Sequence, residues 1–278
     1  MTGVAQPTEA LRRIEAYYDA APRSAADVEE FPPLRLFVQR GGGWPYYARP
    51  ALGTDARTIF LPEHIARVRG RQRELGVPES FEWTHEIVPG LRAAVEAAGV
   101  EVHTHRLMVL DPAARQRAAS LDGVSVSLVS PDLSDDVLAL IGAVASVGFA
   151  SHGTDTGHAG LEALAATTAS TTPAQLAHRR DRLRRGDTVM VVARTAEGPV
   201  ATGAHQPVAG VSEIVGVATL PAYRRRGIGA AVVDLLIEDA LRRGAETIFL
   251  TAGDETVARV YHRLGFRRIA TGCIAETP

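Results

Sequence analysis

The residues best suited to chemistry in this chain lie between Glu213 and Tyr261. The run Arg224-Arg225-Arg226-Gly227-Ile228-Gly229-Ala230 sets three cations and two glycines at the head of an apolar-periodic segment. In that segment Ile228, Val232, Leu235 and Leu236 recur at helical spacing. A helix that begins at Gly227 leaves the amides of its first turn without acceptors. Such amides, with the helix dipole behind them, bind phosphate. Glycine at 227 and 229 lets phosphate oxygens approach the backbone closely, and Arg225 and Arg226 add charge at the rim. Two phosphate loops are excluded by the residues themselves. A nucleoside-triphosphate P-loop requires Gly-Lys-Ser/Thr, but Ala230-Ala231 follow Gly229. A dinucleotide loop requires a third glycine where Val232 stands, and it falls early in a series of strand-helix-strand units rather than late.

The third phosphate reading is coenzyme A. Arg224-x-x-Gly227-x-Gly229 matches the Gln/Arg-x-x-Gly-x-Gly/Ala signature of the GCN5-related N-acetyltransferases (GNAT). The context Val217-Ala218-Thr219-Leu220-Pro221-Ala222-Tyr223 resembles the strand and turn that precede that signature. Further along, Ala258-Arg259-Val260-Tyr261-His262-Arg263-Leu264-Gly265-Phe266 resembles the family's late helix and its terminal Leu-Gly-Phe. The resemblance covers about Gly123 to the C-terminus and is most specific in the last third. It implies an α/β acyl-CoA N-acyltransferase fold with a mostly antiparallel sheet that splays open. It also implies acetyl-CoA as donor, with Val217, Ala218 and Thr219 facing the pantetheine arm. Arg224, Arg225, Arg226, Gly227, Ile228, Gly229 and Ala230 are then the pyrophosphate loop.

Tyr261 is then the candidate general acid, since the departing thiolate needs a proton. Packing beside Leu264 is the alternative role. Glu213 is the candidate general base, because an attacking amine is mostly protonated near neutral pH; an ordinary strand carboxylate is its alternative. Glu213-Ile214-Val215 resembles the segment in the histone acetyltransferase branch whose glutamate acts through water. His205, with Gln206 beside it, is an alternative base or an acceptor contact, and Phe149 is a second candidate acceptor contact. The family often carries Asn where this chain has Asp254, which leaves a coenzyme contact from that side chain open. The implied reaction is direct transfer of an acetyl group to a primary amine of a small molecule in a ternary complex. Acetylation of a protein or peptide amine, or a non-catalytic acyl-CoA-binding role, are the alternatives.

The elements that must position these residues can be read from the pattern. Val124–Val129 alternates as a strand, and Ser134 caps a helix over 135–146. Phe149–Gly160 reads as a polar loop, and Thr172-Pro173 opens a helix that Gly186 ends. Strands follow over 188–195, 199–205 and 210–220, with Glu197-Gly198 as a hairpin turn. Then come a helix over 227–243, a strand over 247–251, a helix over 255–264 and a final strand over 267–275. The earlier half is also mixed α/β. A helix carries Leu11, Ile14 and Tyr18, and Gly41–Tyr47 is turn-rich before becoming extended. Thr58–Leu61 reads as a short strand, Pro62 opens a helix that Gly76 ends, a helix spans 89–98 and a strand 100–110. The polar, Ala-rich stretch 111–123 places a boundary between an N-terminal α/β domain, 1–122, and the acyltransferase domain, 123–278. The first has no Arg-x-x-Gly-x-Gly loop and is expected to bind no coenzyme; a degenerate copy of the second is one reading of it.

Composition limits the partners. Apolar residues make up 46% and aromatics only 5%, so the core is built from aliphatics. A formal net charge of −2 argues against a general nucleic-acid surface, and the arginine clusters at 179–185 and 242–243 read as solvated helix faces. A lone cysteine, Cys273, permits no intrachain disulfide and reads as core. The two histidines and the aspartate of His152–His158 lack a third clear ligand, so no metal is expected. No signal peptide and no membrane span is expected, which makes the cytoplasm the default location. Oligomeric state is open, a homodimer included.

Overall fold

A computed structural model describes residues 8–40, 47–151 and 153–277. The chain forms two compact units, one of residues 1–108 with 268–278 and one of 109–267. These units break inside two strands, whereas the composition shift at 111–123 follows the chain.

The first unit begins with helix α1 (Glu9–Ala20), whose Thr8 hydroxyl accepts from the Leu11 amide. Strands β1 (Ala26–Phe31), β2 (Leu34–Gln39) and β3 (Ala48–Pro50) pair antiparallel in that order. Helix α2 (Pro62–Leu75) follows, with Pro62 in its first turn and Gly76 left-handed at its end. Strand β4 (Ser80–Thr84) runs parallel to β3, then come helix α3 (Gly90–Ala97) and strand β5 (Glu101–Leu110). Leu34, Leu36, Ile65, Val68, Phe81, Leu91 and Val95 form the core, and buried Cys273 joins it. Burial raises the Cys273 thiol to about 11, as expected of a packed rather than reactive cysteine.

Two parts of the sequence reading change here. Thr58–Leu61 is not a strand; it runs irregularly into α2, and Leu61 is the extended residue that caps that helix. The β1–β2 hairpin was not anticipated, because Asp27, Glu29 and Glu30 give β1 a polar surface with little apolar alternation. Within the turn-rich stretch 41–47, only Tyr47 lies among the described residues.

The second unit carries the strand order β10-β9-β8-β7-β6. Its elements are β6 (Ser125–Leu128), α4 (Asp135–Phe149), α5 (Leu164–Ala169), α6 (Pro173–Arg185) and β7 (Val189–Arg194). They continue as β8 (Pro199–Val208), β9 (Val211–Thr219), α7 (Ile228–Arg242), β10 (Thr247–Ala252) and α8 (Glu255–Arg263). The last strand, β11 (Phe266–Glu276), leaves this unit after Arg267. β6 to β9 are antiparallel neighbours, whereas β9 and β10 are parallel. The fold is thus mixed α/β with a mostly antiparallel sheet, and Thr172 with Gln175 closes a capping box at the start of α6.

Helices α4 and α7 cover opposite faces of β8 and β9. A Cβ on Gly148 of α4 would lie 2.9 Å from the Ala218 Cβ, and one on Gly203 of β8 would lie 2.9 Å from Val232 of α7. These two glycines therefore permit the close approach of helix to sheet on each side. The arginines of α6 are not merely solvated. Arg179 donates to the Leu138 carbonyl at 2.7 Å, tying α6 to α4, and Arg180 to that of Leu133 at 2.9 Å, just before α4 begins.

Candidate acyl-donor and proton-transfer site

The candidate site begins where β9 and β10 separate. Their parallel register has Val211 opposite Thr247, Ser212 opposite Ile248 and Glu213 opposite Phe249, and it goes no further. Both strands continue, β9 to Thr219 and β10 to Ala252. The result is a fork with Glu213 at its apex. On its other edge β9 keeps pairing with β8, but with a register shift: Ala204 faces Val215 and Thr202 faces Ala218. Gly216 has φ +63 at this bulge, a left-handed conformation that glycine takes without strain. A glycine inside an otherwise regular strand was the sequence signal for it.

Beyond the fork the chain turns through Pro221–Tyr223 and enters α7. Arg225 has φ +66 and Gly227, the residue that caps α7, has φ +82. The first helical bond runs from the Ala231 amide to the Gly227 carbonyl at 3.1 Å, and no side chain caps the helix. The amides of Ile228, Gly229 and Ala230 therefore have no intrahelical acceptor. Gly229 is also tight against β9, since a Cβ there would lie 3.3 Å from the Thr219 hydroxyl. Arg225, Arg226 and Gly227 are exposed. The Arg226 guanidinium stands 5.2 Å from the centre of the Tyr223 ring.

Arg224 is different from its two neighbours. It is buried, and its guanidinium donates to the carbonyls of Thr219 at 3.1 Å, Asp155 at 3.0 Å, Gly148 at 2.6 Å and Ser151 at 2.8 Å. One side chain thus ties the end of β9, the end of α4 and the loop that follows α4. Burial lowers its pKa, yet four carbonyl acceptors compensate a charge that a phosphate would otherwise meet. Phe149 stands 59% exposed on the backbone that Arg224 fixes. In the loop beyond, His152 lies outside the described residues. Among the described residues no group of three His, Cys, Asp or Glu could hold a metal ion.

Tyr261 lies on α8, the helix after β10. Its side chain is 9% exposed, and its ring packs edge-on against Phe266 at 6.1 Å. Burial pushes its hydroxyl up to about 12. Asp254 caps α8, accepting from the Val257 amide at 2.8 Å. Gly265, with φ +100, passes so close to the backbone of Ala114 and Arg115 that a Cβ would lie 2.8 Å away. The Leu-Gly-Phe turn is therefore a backbone crossing. The segment that crosses it continues along α7, where Arg115 meets Asp234 at 2.8 Å.

His205 does not reach the fork. It lies wholly buried on the α7 face, with Nδ1 2.8 Å from the Ser212 hydroxyl and Nε2 3.0 Å from Asp239. An ionised carboxylate only accepts, so Nε2–H donates to Asp239 and Nδ1 accepts from Ser212. Burial lowers the histidine pKa, against the Asp239 carboxylate, which raises it. Arg242, at 2.9 Å, and Arg243 hold the same carboxylate and are not simply solvated. The trio has the composition of a hydrolase triad, but Ser212 is 0% exposed and no acyl group can reach it. Neither Ser212 nor Asp239 was singled out by sequence, for their partners come together only through folding.

A separate open cavity of about 570 Å³ lies beside the turn before α7, lined by Glu162, Glu197, Tyr223 and Arg226 among others. No helix among the described residues is long and apolar enough to cross a membrane.

Residues 154–266 match the model of the acetyltransferase (GNAT) family. No curated protein matches the chain in sequence. Among solved structures, a GCN5-related N-acetyltransferase from Kribbella flavida aligns at a TM-score of 0.70 and 23% identity, over 99% of this chain and 97% of that one. A tandem GNAT protein from the clavulanic acid biosynthesis pathway aligns at 0.58 and 14%, over 98% of this chain and 90% of that one. A GCN5-related N-acetyltransferase from Sphaerobacter thermophilus aligns at 0.56 and 16%, over 88% and 80%. At these identities the likeness is one of fold.

Proposed function

We propose, from the premise that residues 154–266 form a GNAT-family domain, that this protein transfers an acetyl group from acetyl-CoA to a primary amine. The observation that carries the reading is the fork at Glu213 followed by an uncapped α7 amide terminus. The pyrophosphate binds the amides of Ile228, Gly229 and Ala230, with Arg225 and Arg226 at the rim. Arg224 contributes by shaping the loop rather than by touching phosphate. The pantetheine arm lies along Val217, Ala218 and Thr219, where β9 is released from β10. The acceptor is a small molecule that enters past Phe149.

Glu213 takes the proton of the attacking amine. A primary amine with a pKa near 10.4 is unprotonated in only about one molecule in 10³ at neutral pH, so a base at the apex is required. His205, withdrawn behind the sheet, is not that base. Tyr261 serves the leaving sulfur. A phenol at about 12 remains protonated throughout the physiological range. Complete transfer of its proton to a thiolate of pKa about 8.5 is uphill by roughly three units. Its main contribution is therefore a hydrogen bond to the charge that develops on sulfur. No metal is required by these steps.

The first unit repeats the order helix, three strands, helix, strand, helix, and we read it as a degenerate copy that binds no coenzyme.

The test is Tyr261→Phe, with thiol release measured over a panel of amines and peptides. Turnover should fall about 10²–10³-fold, with acetyl-CoA affinity by calorimetry nearly unchanged. Wild-type turnover in the variant would return Tyr261 to a packing role. Preference for a peptide would replace the small-molecule acceptor, and cofactor binding without thiol release on any amine would favour a non-catalytic module.

A further inference from the structure

We propose that Gln206 is a positioning residue for the carboxylate of Glu213, an assignment that rests on Glu213 being the base. Gln206 of β8 lies directly opposite Glu213 of β9 in an antiparallel register. Directly opposed residues share a face of the sheet, with Cβ atoms about 4.5–5.5 Å apart. That face is the α4 face. His205 and Ser212, one residue away on each strand, point to the opposite side and are bonded to each other.

The alternation gives the buried trio a use. Ser212, His205 and Asp239 fasten the two strands to α7 at the residues adjoining Gln206 and Glu213. The pair on the other face is thereby presented on a fixed backbone. Phe249 stands opposite Glu213 on β10, and α4 carries no charged residue after Asp136. The charged side chains of α8, namely Glu255, Arg259, His262 and Arg263, are exposed. An amide at 206 can donate to the carboxylate and hold it toward the fork without neutralising it. A carboxylate at 206 would place a like charge directly opposite, and an apolar side chain would remove the donor. Both changes raise the pKa of Glu213, the first by more.

The experiment is a set of kcat/KM profiles against pH for the full chain and for Glu213→Gln, Gln206→Glu and Gln206→Leu, with acetyl-CoA affinity measured alongside. The expected result has four parts. Glu213→Gln loses the acidic limb. Gln206→Glu moves that limb up by about one pH unit or more. Gln206→Leu moves it less. All three retain cofactor affinity. A merely structural role for Gln206 would lower rates without moving the limb. If Gln206→Glu binds cofactor poorly, Gln206→Leu alone decides. Limbs that coincide with wild type in the Gln206 variants, while Glu213→Gln loses its own, would overturn the role of Gln206 only. An acidic limb that survives in Glu213→Gln would overturn Glu213 as the base, and this proposal with it.

Discussion

The two units follow one plan and differ where the chemistry would be. The first runs helix, three antiparallel strands, helix, strand, helix; the second adds strand β6 at its start and has three helices before β7. In both, the strand before the next helix, α2 or α7, pairs parallel with the strand after it. In the second unit β9 and β10 part beyond Glu213, and the helix that follows offers bare amides. In the first unit β3 and β4 share the registered pair Ala48 opposite Phe81, and the space beyond it is filled from within. Glu15 of α1 accepts from Arg49 of β3 at 2.9 Å and from the Thr84 hydroxyl of β4, so one carboxylate spans both strands. The Tyr18 ring lies 4.7 Å from the same guanidinium. The start of α2 is equally closed. Pro62 has no amide hydrogen, Glu63 repels an anion, and the His64 imidazole accepts from the Leu61 amide at 3.1 Å. If the second unit binds coenzyme as proposed, the comparison teaches that a parallel fork alone would not suffice, since in the first unit Glu15, Arg49 and Thr84 are bonded across it.

The largest effect should come from Gly229→Glu. A carboxylate there would meet Thr219 and face the phosphates, and acetyl-CoA affinity should fall more than about 100-fold, or about 2.8 kcal/mol. Calorimetry should find a single site per chain in wild type, and Glu63→Gly in the first unit should leave it unchanged. A second coenzyme bound per chain would break the contrast between the units.

Arg49→Met should come next. It leaves the partly buried Glu15 without its cation, at a cost of about 2.5 kcal/mol, somewhat below that of breaking a fully buried pair. Denaturant unfolding should show that loss, with acetyl-CoA affinity unaltered in protein that remains folded.

The smallest effect concerns Glu82, on β4 within reach of Arg49. Burial raises its carboxyl to about 7 against an ordinary 4.5. A raised acid favours the folded state below 4.5 and loses that contribution as pH rises through 7. Glu82→Gln should therefore stabilise the protein by about 2 kcal/mol at pH 8 after allowance for its partial exposure. The gain should vanish near pH 4, as thermal melts across that range would show.

Much of the second unit was legible because its signals are local. Gly227, Gly229 and Gly265 mark backbone positions that other residues fill only under strain, and the apolar stripe of α7 sits beside two of them. Thr172 with Gln175 marks the start of α6 for the same reason. What escaped depends on residues far apart in sequence. Arg224 finds its four carbonyls between 148 and 219, and His205 finds Asp239 across the sheet. Sequence therefore grouped Arg224 with the phosphate loop and offered His205 as a base, since nothing adjacent to either discloses a buried partner. The first unit was harder because acidic residues on β1 mask its hairpin and because its closed fork leaves no motif.

The path of the last strand has a consequence for the order in which the protein can be made. Gly272–Glu276 pair with Thr84–Ser80, so β4 takes its partner from the final stretch of chain. Every residue of the 109–267 unit leaves the ribosome before that stretch does. At about 5–20 residues per second, β4 waits on the order of ten seconds or more for its neighbour. During that interval the nascent first unit exposes an unpaired strand edge, a surface that invites chaperones or wrong pairing. The second unit, made later, has the means to finish first, and the first unit, though begun earlier, is completed after it.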